Sequence, residues 1–233
     1  MAVFSLCVVV CVSLSIFFAS SAVTESDSFS IVFIAGFTRL LSVLFVTIYV
    51  SFSVRRLNER EEIAYMLSKP IGRAPYLMAY CLFYTLLAFL IAVLITLVLL
   101  PFSQNVSLET LSLWFLSFFL ELALVAIIGF IFSMIRNGGL SGLFATLGLY
   151  VLGRLSGGLL KIAGQGDDTA VNTIFEPVFY VLALVIPRFD LLAQTGWLVY
   201  GIENFSILVF IQIILFSVLL IMAGLYDLRK KQF

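Results

Sequence analysis

The sequence contains no histidine, only three cysteines and five prolines in 233 residues, and charged side chains make up 11% of it. Without histidine, the commonest metal ligand and the usual catalytic base at neutral pH are both missing. Cys7, Cys11 and Cys81 lie in apolar stretches, so they read as small hydrophobes and not as a disulfide framework or metal cluster. The scarcity of charge goes with a mean hydropathy of +1.19. A soluble core of this size cannot hide so much apolar surface, and the class that remains is an all-α polytopic membrane protein.

Six runs are long enough to cross about 30 Å of hydrocarbon as helices: 2–23, 29–54, 76–101, 110–135, 140–161 and 205–226. A seventh, "IFEPVFYVLALVIP" at 174–187, has fourteen residues and includes Glu176 and Pro177. It reads as re-entrant or interfacial, part of an outer segment at 162–204. With the amino terminus inside, this arrangement puts Arg55, Arg56, Arg60, Lys69, Arg73, Arg136, Arg229, Lys230 and Lys231 on the cytoplasmic side. Only Lys161 and Arg188 fall outside. That is the positive-inside pattern, and a full crossing at 174–187 breaks it by exporting the basic tail. Six spans with both termini cytoplasmic are therefore expected. Ser20, Ser21 and Ala22 offer a cleavage site, but the first run lacks a basic start and exceeds the usual signal-peptide length, so it reads as a retained span.

Between the second and third spans lies "RRLNEREEIAYMLSKPIGRAPY", residues 55–76, with eight charges. The large loop at 55–75 reads as cytoplasmic. Asn58 is placed to cap a short helix with Glu61 reaching back, Glu59 to Glu62 suit its amino-terminal end, and Pro70 stops it. Ile63, Met66 and Leu67 supply an apolar face. Such an element is either a solvated connector whose charges set topology or a docking element for a soluble partner.

The string "VRRLNEREEIAYMLSKPIGRAPYLMAY" resembles the intracellular loop of type-2 ABC-exporter permeases, in which a glutamate-bearing helix precedes a Leu-Ser-Lys-Pro-Ile-x-Arg-like run, here Leu67 to Arg73. "ELALVAIIGFIFSMIRNGGLSGLFATLGLYVLGRL" resembles that family's fourth and fifth spans, and "IPRFDLLAQTGWLVYG" its outer segment before the last span. The resemblance covers residue 30, approximately, to the end. It implies a transmembrane permease subunit that forms a homodimer or heterodimer and is driven by a separate ATP-binding cassette subunit. Glu59, Glu61, Glu62, Ile63, Met66 and Leu67 would then dock on that ATPase. ATP and magnesium would sit on the partner, with no cofactor on this chain and no nucleic acid. The natural home of such a split permease is a bacterial inner membrane. In agreement, the chain has no G-x-x-x-x-G-K-[ST] string and cannot cradle a nucleotide by that device. The apolar walls favour a lipid, glycolipid or amphipathic substrate.

Arg39, Glu121 and Arg154 fall inside expected spans, where an unpaired charge costs roughly 2.5–3.5 kcal/mol. A Glu121 pair with Arg154 or with Arg39 braces the bundle in one reading; in another these residues contact a polar substrate group. Two other functions remain open: a membrane anchor of an envelope complex that transports nothing, and an ATP-independent ion-coupled carrier using Arg39, Glu121 and Arg154. Glycines 138, 139, 142, 148, 153, 157 and 158 crowd the fifth span, as close helix packing, a dimer seam or a lateral opening would require. Two protease-like strings fail on chemistry. "GLSG" at 139–142 has no histidine to activate Ser141. "GQGD" at 164–167 puts Asp167 on the face opposite Asp227, so the two carboxylates cannot share a proton.

Overall fold

The computed structural model describes residues 8–10, 12–13, 26–59, 72–103, 106–135, 139–165, 186–192, 194–201 and 207–230. Among them every regular element is helical. The helices are α1 (Ser26–Glu59), α2 (Arg73–Leu99, continued by a 3-10 turn Leu100–Phe102), α3 (Leu108–Ile135), α4 (Gly139–Gln165), α5 (Phe189–Leu192), α6 (Trp197–Tyr200) and α7 (Ile207–Lys230). Five contain apolar stretches long enough to cross a membrane: Ile31–Leu57, Arg73–Phe102, Leu108–Ile135, Gly139–Leu160 and Leu208–Leu228. The chain is an integral membrane protein. Of the expected first span, only residues 8–10 and 12–13 are described, and they are helical. The rest of that span lies outside the described residues, as does most of the proposed re-entrant turn.

α3 is the axis of the bundle. In its spanning window 72% of residues are buried, against 22–50% in the other four. It packs on α1, α2, α4 and α7 along its length and on α5 and α6 near one end. Its apolar residues surround the helix, so it has no polar face to turn outward, and burial on all sides is the arrangement that such a pattern supports. Trp114, Phe118, Leu122, Ala126 and Phe130 are all buried there. Leu82, Leu86, Leu90, Leu94 and Leu97 of α2 and Leu215, Val218, Leu219 and Met222 of α7 instead point outward, which is where lipid replaces protein as the apolar solvent.

Glycine contacts set the close approaches at both ends of α4. At the turn from α3 to α4, a Cβ on Gly142 would stand 2.6 Å from the Ser133 Cα, so only glycine lets these backbones meet. At the other end, Cβ atoms on Gly153 and Gly157 would stand 2.6 Å from the Pro187 carbonyl oxygen and 2.0 Å from Asp190 Oδ2. The segment 186–192 thus lies directly on α4. Ser156 Oγ donates to Asp190 Oδ1 at 3.3 Å, and Arg188 pairs with Asp190 at 3.0 Å. Gly148 and Gly158 meet nothing within 4 Å. Among the described glycines of this helix, Gly139, Gly142, Gly153 and Gly157 pack closely inside the protomer, whereas Gly148 and Gly158 lie on open faces.

The end of α1 differs from the expected loop boundary. Asn58 and Glu59 continue the helix as its last turn, and Arg55 Nε binds Glu59 Oε1 at 2.6 Å in an i,i+4 pair. The helix that Asn58 is placed to cap by its spacing lies outside the described residues. The basic ends of the spans gather together: Gly139 lies against Arg55, and Arg73 Nη1 donates to the Leu228 carbonyl at 2.8 Å. The carboxyl end of α7 is therefore level with the amino end of α2. Segments 186–201 and the turn after α2 occupy the opposite end.

Candidate functional site: a buried charge cluster at the bundle axis

Glu121 sits near the middle of α3 with no exposed surface, and Arg39 of α1 is 1% exposed. Arg39 Nε donates to Glu121 Oε2 in a buried ion pair. Tyr150, on α4, donates its hydroxyl hydrogen to Glu121 Oε1 at 2.8 Å, so both carboxylate oxygens are engaged. One carboxylate thus ties three spans together.

The guanidinium is engaged on several sides as well. Its Nη2 donates to the Leu192 carbonyl at 3.0 Å and to Ser117 Oγ at 3.3 Å. Ser117 in turn donates to the Trp114 carbonyl at 2.8 Å. The plane of the cation lies over the rings of Trp114 and Phe118, with Cζ 5.7 and 5.5 Å from their centroids, a cation–π arrangement suited to arginine. Arg39 Nη1 makes no hydrogen bond among the described residues. Desolvating two charges costs several kcal/mol each, and mutual attraction offsets this only where the remaining polar atoms are satisfied. Here most of them are, in a setting that is electrically neutral as a unit.

Local sequence explains why these groups meet. Ser117 and Glu121 are four apart on α3 and share a face. Arg39 is flanked by Thr38 and Ser42, whose hydroxyls bond back to the Ile34 and Thr38 carbonyls and so leave no competing donor for Glu121. Gly153 and Gly157 admit the outer segment closely enough to bring the Leu192 carbonyl to Arg39, while Phe189 packs on the Tyr150 ring with centroids 5.1 Å apart. The structure pairs Arg39 with Glu121. Arg154 is half-buried one turn beyond Tyr150 on α4. Hydropathy and charge in the sequence do not single out Tyr150, Ser117 or the Leu192 carbonyl. The i,i+4 spacings of Ser117 to Glu121 and of Tyr150 to Arg154 were the available signals.

Of the expected docking residues, Glu59 is exposed at the end of α1. Glu61, Glu62, Ile63, Met66 and Leu67 lie outside the described residues. No group of three or more metal-ligating side chains occurs among the described residues. Neither a protein-family profile, nor a curated protein, nor a solved structure matches this chain.

Proposed function

We propose that the chain is the permease subunit of an ABC exporter, driven by a separate ATP-binding cassette protein and moving a lipid-like, glycolipid or amphipathic substrate. The observation that carries this reading is how the charges are used. The buried charge of α1 and α3 is spent internally, closing α1, α3, α4 and the outer segment into one unit. A charge-rich connector at 60–71 joins the basic ends of α1 and α2. A body braced in this way moves as a whole, and rigid-body movement of spans is how an externally powered transporter alternates its access. The connector is where such a force is best applied, through Glu59, Glu61, Glu62, Ile63, Met66 and Leu67.

The basic ends then face the cytoplasm under the positive-inside rule, and both termini lie there. ATP and magnesium belong to the partner subunit, and two permease subunits, identical or not, complete the assembly in a bacterial inner membrane. The loop resemblance supplies the family and the braced bundle supplies a body suited to the task.

The test is purification from native membranes in mild detergent, with mass spectrometry of co-purifying proteins, beside a Glu61→Arg/Glu62→Arg variant. The reading expects an ATP-binding cassette protein at near-equal stoichiometry in the wild type and its loss in the variant. Absence of any ATPase under conditions that retain other complexes overturns it. Partner binding without transport identifies an anchor, and transport without nucleotide identifies a carrier.

A further inference from the structure

A groove of about 430 Å³ runs along the outer face of α1, lined by Phe45, Ile48, Tyr49, Phe52, Ser53 and Arg56, with Leu57 at its end. Its composition is graded. Phe45, Ile48 and Phe52 form the apolar part, whereas Tyr49, Ser53 and Arg56 add hydroxyls and a cation toward the basic end of the bundle. Arg55 is neutralised by Glu59. Arg56 is exposed and makes no hydrogen bond or ion pair among the described residues.

We infer that this groove binds one anionic phospholipid of the leaflet at the basic end, with its phosphate at Arg56 and an acyl chain running along Ile48 and Phe52 to Phe45. The length fits. Eleven residues of helix separate Phe45 from Arg56, or about 16 Å, which is close to half of the roughly 30 Å hydrocarbon core. Phe45 also lies near the midpoint of the Ile31–Leu57 span. The groove therefore extends from headgroup level to the membrane midplane, the extent of a single lipid tail, and its volume is that of a small-ligand site. The charge fits as well, because an arginine at headgroup depth with no partner among the described residues attracts phosphate and forms directed hydrogen bonds with it. This inference requires only that the chain spans a membrane and stands whether or not the permease reading holds.

Native mass spectrometry of the full chain in detergent tests it, with titrated palmitoyl-oleoyl phosphatidylglycerol and its phosphatidylcholine counterpart, which differ only in the headgroup. The wild type is expected to retain one phosphatidylglycerol in preference to phosphatidylcholine. Arg56→Gln should lower that preference about fivefold, the scale of one basic residue near the surface. Lys230→Gln, which removes a cation at the same end of α7, should leave it unchanged. Ile48→Trp, which fills the apolar part, should reduce retention of both lipids, and circular dichroism confirms that each variant is folded. Equal effects of Arg56→Gln and Lys230→Gln would reduce the site to diffuse electrostatics. Equal retention of the two lipids, or an Ile48→Cys disulfide between two copies that forms regardless of added lipid, would also overturn it.

Discussion

Tyr150 of α4 and Arg39 of α1 hold opposite oxygens of one carboxylate, Glu121, without a direct contact between them in the hydrogen-bond network. Each therefore depends on the third residue for its place. Glu121→Gln keeps the shape and removes the charge, leaving Arg39 buried without its counter-ion. It is expected to destabilise the protein by about 3–5 kcal/mol. Tyr150→Phe removes one neutral donor and should cost about 0.6–2 kcal/mol. Unfolding by SDS titration in mixed micelles checks both, and equal costs for the two variants would show that the charge is not what matters.

The outer segment depends on Gly157. An alanine methyl there would collide with the Asp190 side chain, which Ser156 and Arg188 hold in place. Gly157→Ala should cost about 1–3 kcal/mol as an overpacked site, whereas neighbouring Gly158→Ala, with open space around it, should stay within about 0.5 kcal/mol of wild type. Thermal melting in lipid nanodiscs separates them. Matching melting temperatures would mean that the segment shifts without cost.

The same contrast applies at the opposite end of α4. Gly142→Ala drives a methyl into the Ser133 backbone, while Gly148→Ala meets nothing within 4 Å. A loss of about 1–3 kcal/mol in the first variant alone is expected, read by SDS titration. If Gly148→Ala were the more damaging, α4 would be using its open face for an interface with a second copy.

Much of the architecture was legible in the sequence because hydropathy alone marks membrane-length helices, and the five described spans fall where the apolar runs lie. The end of α1 was not, since Arg55 to Glu59 look like loop residues by polarity although their i,i+4 charges also suit a helix turn. The central place of α3 was hidden for a different reason: its lipid-facing neighbours are equally apolar, and hydrophobicity cannot separate protein from lipid as a solvent. That Arg39, Glu121 and Arg154 needed partners followed from their cost in hydrocarbon. Which arginine would reach Glu121 depends on contacts 82 residues apart, and Tyr150 looks like any aromatic residue in an apolar run until the fold brings it there.

The buried cluster is expected to act as a brace and not as a moving part. The decisive measurement compares the unfolding stability of the single variants Arg39→Met and Glu121→Met with that of the triple variant Arg39→Met/Glu121→Met/Tyr150→Phe. A brace predicts that each single variant is destabilised by a lone buried group, whereas the triple variant, with apolar side chains of similar volume, recovers most of the stability. A triple variant no more stable than either single variant would contradict this and show that the charges do not brace the bundle.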